Sequence, residues 1–252
     1  MTDDTLELMV RQLARRGPLS PADREALLSL RYTRRTVEPS SYLVREGDEP
    51  RYCAVLLSGF AFRQKITGDG ARQIIALHIP GNMLDLQNLY LDISDHNVQT
   101  LTRADIAFIA RSELQELSMA RPAIGHAFFV DTLVDASIFR EWVTNVGRRD
   151  SRARLAHLLC EFALRLEASG LAEEYRYELP MTQEQLADTL GLTPVHVNRT
   201  LKTLDADGLI IREKRNLRIP DWQRMREVGD FSERYLHLHQ HDGSRPGGGK
   251  RA

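Results

Sequence analysis

Between Met181 and Leu204 the sequence MTQEQLADTLGLTPVHVNRTLKTL leaves the chain little freedom, because it reads as two short helices joined by a glycine turn. Thr182 is placed to cap the first helix, whose Leu186, Ala187 and Leu190 share one face. Gly191 ends that helix at a corner needing a left-handed backbone, which glycine adopts without a Cβ clash, and Leu192 can tuck inward as the chain turns. Thr193 and Pro194 open the second helix as cap and first-turn proline. Val197, Leu201 and Leu204 then recur at i, i+4 and i+7, leaving Val195, His196, Asn198, Arg199 and Lys202 on other faces. The expectation is a helix-turn-helix whose second helix presents a polar face outward.

The chain has 252 residues and 42% hydrophobic content, enough for one or two domains with a real core. A net charge of -1 gives no overall basic excess, so any affinity for nucleic acid must come from local charge. No apolar run reaches the length of a membrane span and the start MTDDTLELMV is acidic, unlike a signal peptide, so no membrane partner and a cytoplasmic location are expected. Cys53 and Cys160 lie far apart inside apolar runs and read as buried free thiols. Four-cysteine iron–sulfur ligation is not available from two cysteines.

Two helical patterns, Leu6 to Ala14 and Ser20 to Leu30, precede a β-rich stretch from Arg31 to Ser112. Its short runs (Ser41–Arg45, Tyr52–Leu57, Phe60–Ile66, Gln73–Ile79, Val98–Leu101, Ile106–Ala110) are punctuated by glycine turns, the texture of a small antiparallel barrel or jelly roll. A long helix from Ile124 to Val146 is apolar on more than one side, so one side can lie on the barrel and another on a second copy of itself. Phe128, Val134, Ile138 and Trp142 are the candidate dimerisation residues. Arg148-Arg149-Asp150 reads as a hinge, and Ser151 to Ala168 as a helix that packs behind the helix-turn-helix. Leu209–Arg212 and Leu217–Ile219 flank a basic tip as a two-stranded wing; Asp221 to His241 reads as a last amphipathic helix, and Asp242 to Ala252 as a disordered tail. The expected fold class is α+β: an N-terminal antiparallel β-roll or jelly roll as sensor domain (residues 1–116), a long dimerisation helix and hinge (117–148), a C-terminal winged helix-turn-helix (149–220), then a C-terminal helix and tail (221–252).

This order of parts, with MTQEQLADTLGLTPVHVNRTLKTLDADGLI at its end and the turns EGD (46–48), LSGF (57–60), GDG (68–70) and IPGNM (79–83) in the barrel, resembles the Crp/Fnr family of bacterial transcription regulators. The resemblance implies a homodimer that binds double-stranded DNA at a two-fold symmetric operator, contacts RNA polymerase, and is usually switched by a small molecule or redox signal in the barrel. It places Val195, His196, Asn198 and Arg199 against base edges, with Arg199 matching the arginine that reads guanine, since a guanidinium fork fits O6 and N7. Val195 stands where members commonly carry a glutamate, so the half-site should differ from the familiar one. Thr182, Thr193, Lys202, Lys214 and Arg215 are the phosphate contacts that set register.

Cyclic-nucleotide-binding members hold the phosphate with a Gly-Glu pair and an Arg-Ser pair. The corresponding places here read Asp85-Leu86 and Ser94-Asp95, and the base-contacting hydroxyls of the long helix fall near Phe139 and Arg140. The clamp arginine is absent, and Asp85, Asp92 and Asp95 would repel a phosphate at the pocket mouth. Cyclic AMP is therefore not the expected effector, no cofactor or metal is expected, and the effector is unknown.

Other readings stay open at this stage. Leu236-His237-Leu238-His239-Gln240-His241, or His78 and His96 in the barrel, could serve a metal or haem sensor, although no cysteine or acid completes a set near the terminal histidines. A helix-turn-helix scaffold that does not bind DNA specifically is the other alternative. No nucleophile elbow, phosphate-cradling glycine loop or paired carboxylates argue for an enzyme.

Overall fold

A computed structural model describes residues 4–238. After a single 3-10 turn (Asp4–Leu6), helices α1 (Glu7–Ala14) and α2 (Pro21–Leu28) form, the second closed by a capping box in which Ser20 and Asp23 exchange side-chain to backbone bonds. The β region follows as β1 (Tyr32–Val37), β2 (Tyr42–Val44), β3 (Tyr52–Ser58), β4 (Ala61–Ile66), β5 (Arg72–His78), β6 (Asn97–Thr100) and β7 (Ala104–Ala110). They form two antiparallel sheets, β1-β7-β3 and β2-β6-β4-β5. Val44, Ala54, Leu56, Leu84, Val98 and Ile106 fill the space between them.

Helices α3 (Arg111–Ala120) and α4 (Pro122–Arg148) lead out of the barrel, and α5 (Ser151–Ala168) begins after Arg149 and Asp150. Asp150 caps α5 by accepting a bond from Ala153 N at 2.9 Å. The remainder is β8 (Arg176–Glu178), α6 (Gln183–Leu190), α7 (Pro194–Ala206), β9 (Ile211–Glu213), β10 (Asn216–Arg218) and α8 (Trp222–Val228). Apolar packing does not stop at the barrel's edge. Phe62, Ile74, Leu77 and Ile79 belong to the same cluster as Leu155, Leu159 and Phe162 of α5 and Leu186, Val197 and Leu201 of the two helices beyond it.

Several expectations need correction. Strand β1 was not foreseen, because YTRRTV exposes four polar residues at a sheet edge and shows no apolar alternation. Helix α3 also escaped notice, being polar except for a few buried positions such as Leu114. The wing has three strands, with β10 paired to β8 as well as to β9. The single helix expected from Asp221 to His241 is instead α8 followed by a break at Gly229-Asp230 and a 3-10 turn, Glu233–Leu236; His239 and His241 lie outside the described residues, as does the terminal tail.

The proposed dimer seam also changes. Phe128, Val134 and Trp142 are buried inside the subunit, Trp142 only 6% exposed, and Ile138 packs partly against the same core. Helix α4 has two apolar stripes, and the subunit's own core takes the one containing these residues. The other, Phe129, Leu133, Ala136, Arg140 and Val143, runs at alternating four- and three-residue steps along the outer side; Phe129 is 62% and Val143 58% exposed. Phe139, beside this stripe, is exposed too.

At Gly191 the backbone adopts φ 62°, and a Cβ there would come within 3.1 Å of Val146 Cγ1. Gly191→Ala is expected to lower stability by about 1 to 2 kcal/mol in urea unfolding, the cost of a left-handed non-glycine residue.

Candidate nucleic-acid interface and sensor cavity

The two-helix unit is set by its caps. Thr182 Oγ1 accepts from Gln185 N at 3.2 Å while Gln185 Oε1 accepts from Thr182 N at 2.8 Å, and Thr193 Oγ1 accepts from His196 N at 3.3 Å. Val197, Thr200, Leu201 and Leu204 bury the inner side of α7. Its outer side carries Val195, which is 81% exposed, with Arg199 and Lys202 also exposed and His196 and Asn198 half-buried. Thr182 and Thr193 are exposed at the two helix starts, although each hydroxyl is engaged as a cap. At the wing tip Lys214 takes a left-handed backbone (φ 58°), and Arg215 lies 3.6 Å from Glu178 on exposed ground. Thus the base-edge candidates share one open helix face, and the phosphate candidates are all exposed residues of the helix-turn-helix and wing.

The sensor candidates are less well gathered. A partly open cavity of mixed polar and apolar lining lies where the barrel, α4, α1 and α5 converge, and Arg63, His78, Leu86, Asp131, Asp135 and Arg165 are among its walls. Leu86 reaches it, and Phe139 lines the neighbouring groove. Asp85 sits behind the wall, buried, with Oδ1 2.8 Å from His96 Nε2 and 3.4 Å from Arg63 Nη2. Asp95 meets His96 Nδ1 at 2.6 Å, Ser94 Oγ donates to the His96 carbonyl at 3.0 Å, and Arg140 stands away in solvent on the outer stripe of α4.

The acids at the mouth are consequently paired rather than bare: Asp85 with Arg63 and His96, Asp95 with His96, and Asp92 with Arg111 at 3.0 Å. Local sequence could not supply this pairing, because Arg63 comes from β4, far back along the chain. Arg63 also donates to Asp135 Oδ2 and to the Leu84 carbonyl, each at 2.7 Å. Burial alone would raise the Asp135 carboxyl, but the Arg63 guanidinium beside it prevails and holds it below its usual range. Asp131, paired with Arg16 at 2.8 Å, is instead pushed up by burial. Arg63, His78, Asp131, Asp135 and Arg165 are cavity residues outside the expected effector set, and of these only His78 carried any sequence signal.

Burial pushes the His78 imidazole down to about 3, with the Arg63 charge adding to the effect, and its Nε2 has no partner. A neutral imidazole beside two guanidinium groups makes a poor cation site. Among the described residues no group of three or more His, Cys, Asp or Glu side chains could hold a metal ion. Both cysteines are buried and free, the Cys53 thiol pushed up to about 12 by burial. No helix among the described residues is long and apolar enough to cross a membrane.

With this geometry in view, the comparisons with known proteins are informative. Residues 34–121 match the cyclic nucleotide-binding domain family, and residues 153–228 the Crp-like helix-turn-helix domain family. The chain is similar to the transcriptional activator protein FnrL of Cereibacter sphaeroides, 29% identical over 225 residues that cover 86% of this chain and 90% of that protein. It is also similar to the nitrogen fixation regulation protein FixK of Rhizobium meliloti, 26% identical over 196 residues, covering 77% and 85% of the two chains. In fold it is similar to the structure of FixK2 from Bradyrhizobium japonicum, with a TM-score of 0.73 at 22% identity over 79% of this chain and 98% of that one.

An unfolded histidine titrates near 6.5, so below that pH the unfolded chain binds a proton that the folded one refuses, and stability falls as pH drops from about 6.5 toward 3. At pH 5 the loss amounts to about 2 kcal/mol. His78→Gln should shrink the difference between urea unfolding free energies at pH 7 and pH 5 by about that amount.

Proposed function

Because the chain belongs to the Crp/Fnr family of DNA-binding transcription regulators, we propose that it binds a two-fold symmetric operator as a homodimer and acts on transcription through RNA polymerase. The observation that carries this reading is the outer face of α7, where Val195 and Arg199 stand open above a buried Val197–Leu201–Leu204 stripe. Arg199 reads guanine through its two-pronged guanidinium, Val195 offers apolar contact to a thymine methyl, and His196 and Asn198 complete the base-edge set. Thr182, Thr193, Lys202, Lys214 and Arg215 hold phosphates, which fixes register without carrying sequence information.

The outer stripe of α4 supports the homodimer, since an apolar strip from Phe129 to Val143 is left without a partner within the subunit. A two-fold seam along it brings two α7 helices to one side of the assembly, and the operator half-sites then fall about 34 to 36 Å apart. Relatives named as transcriptional activators support the contact with RNA polymerase. Cyclic AMP is not the effector on this reading: the place of the phosphate-holding Arg-Ser pair is taken by Ser94-Asp95, and Arg63, the guanidinium inside the barrel, is occupied by Asp85 and Asp135.

Selection of bound sequences from random DNA tests the central claim, which fails if no motif is enriched. Given a motif, Arg199→Ala should cost about 1 to 3 kcal/mol and relax the preference at one guanine per half-site. Lys202→Ala should weaken all sequences alike and reduce the salt dependence by about one unit of slope. Leu133→Glu with Val143→Glu should convert the protein to a species of 28.7 kDa in sedimentation, whereas an unchanged dimer mass would place the seam elsewhere.

A further inference from the structure

We propose that the segment from Trp222 to Leu238 is a strap that fixes the angle between the long helix and the DNA-binding domain. The helix-turn-helix family match ends at residue 228, so Asp230, Phe231 and Tyr235 lie just beyond it. Tyr235 nevertheless makes buried polar contacts with α5, Phe231 packs on its rings and Asp230 holds the hinge.

The strap leaves α8 at Gly229, which lies so close to α5 that a Cβ there would come within 2.8 Å of His157 N. Its carbonyl lies 3.1 Å from His157 Nδ1. Asp230 then turns the chain with φ 45°, and its carboxylate and carbonyl both accept from Arg149 at 3.1 Å. Arg149 is the first of the two residues between α4 and α5, and it donates to Glu141 of α4 at 2.7 Å as well. The hinge residue is therefore held from both sides by carboxylates.

Further along, Phe231 packs edge-on against His157 and against Trp222, which is itself stacked on Tyr175 at 4.1 Å. The Tyr235 hydroxyl donates to Glu161 Oε2 at 2.9 Å and lies 3.0 Å from His157 Nε2. The same Glu161 oxygen accepts from Trp142 Nε1 of α4 at 2.9 Å. Finally the Leu236 and His237 carbonyls accept from Arg16 of the N-terminal region, each at 3.4 Å. One short segment thus touches α5, Arg149 in the hinge, and Arg16 of the N-terminal region. Rotation of the DNA-binding domain about Arg149-Asp150 would have to part the strap either from Arg149 and Arg16 or, if it stays with them, from α5, where the buried Glu161 and His157 would each lose a partner.

The strap orients and does not mask. The outer face of α7 is open, and no residue of the strap covers it. For a protein that must present two recognition helices at a fixed separation, a held hinge removes an ordering cost from binding. The effect on DNA rests on the dimeric operator reading above; the effect on the hinge does not.

The test uses the full chain with two variants. Tyr235→Phe keeps the ring and removes the hydroxyl; Asp230→Ala alters an exposed side chain and so leaves folding intact. Amide hydrogen exchange of residues 147–153, measured without DNA, should speed at least tenfold in each folded variant, and unchanged exchange overturns the strap. On the operator recovered from random DNA, affinity should fall at least fivefold while binding to an isolated half-site stays constant, and the penalty for one inserted base pair between half-sites should shrink. Unchanged or tighter operator binding, with faster hinge exchange, overturns the orienting role. If no operator motif is enriched, the operator reading fails, and hydrogen exchange still decides whether the hinge is held.

Discussion

A single carboxylate, that of Glu161, holds together parts of the chain that would otherwise meet only through apolar contact. It is 1% exposed, and a carboxylate taken that far out of water costs on the order of several kcal/mol unless its lone pairs are filled. They are filled from three directions: the Trp142 indole of α4, the Tyr235 hydroxyl from beyond α8, and Arg165 one turn along α5. Arg165 in turn donates to the Leu77 carbonyl of β5, so a continuous run of polar contacts joins barrel, long helix and DNA-binding domain. Each donor depends on the others being in place, because withdrawing one leaves a buried acceptor poorer in an environment that offers no water.

The Arg63 cluster plays the matching part about two turns nearer the start of α4. Arg63 links Asp85 of the barrel to Asp135 of the helix, and Asp85 continues through His96 to Asp95 at the surface. At the rim, Arg72 of β5 reaches Asp188 of α6 at 2.6 Å, and Gln73 donates to the Thr189 carbonyl. Because the apolar cluster beneath runs from Phe62 and Ile74 into α5, α6 and α7, the barrel and the helix-turn-helix are not two bodies on a tether. They share one core, and the charged pairs define how its two halves are set against each other.

What the sequence disclosed divides along the same line. The helix-turn-helix was legible because its signals are local: a capping threonine, a left-handed glycine, a first-turn proline and a three-residue apolar stripe lie within 24 residues. The barrel's glycine turns were legible for the same reason. Edge strand β1 was not, since an edge needs no apolar alternation, and neither was β8, whose only buried residue is Tyr177. The sequence also showed that α4 is apolar on more than one side but not which stripe faces inward, because both satisfy helical periodicity and only the position of the barrel and α5 chooses between them. Likewise Asp85 read as a bare acid until the fold brought Arg63 and His96 against it, and α8 was overextended because what stops it is the approach of Gly229 to the α5 backbone, a tertiary constraint.

The two stripes of α4 also bear on how such a protein can be regulated. The outer face of α7 is already open, so a signal that altered DNA binding could not work by uncovering it. On the homodimer reading proposed above, what remains adjustable is the pairing of two subunits and the angle at Arg149. Both are governed from one helix: its outer stripe carries Phe129, Leu133 and Val143, and its inner stripe carries Asp131 and Asp135 at the cavity and Trp142 at Glu161. A group entering the cavity must meet Asp131, Asp135, Arg63 or His78, and any rotation of α4 that accommodates it moves Val143 and Trp142 by the same angle, since they are fixed on one helix. On that reading subunit pairing and domain angle are not independent settings, and the length and continuity of α4 are what join them.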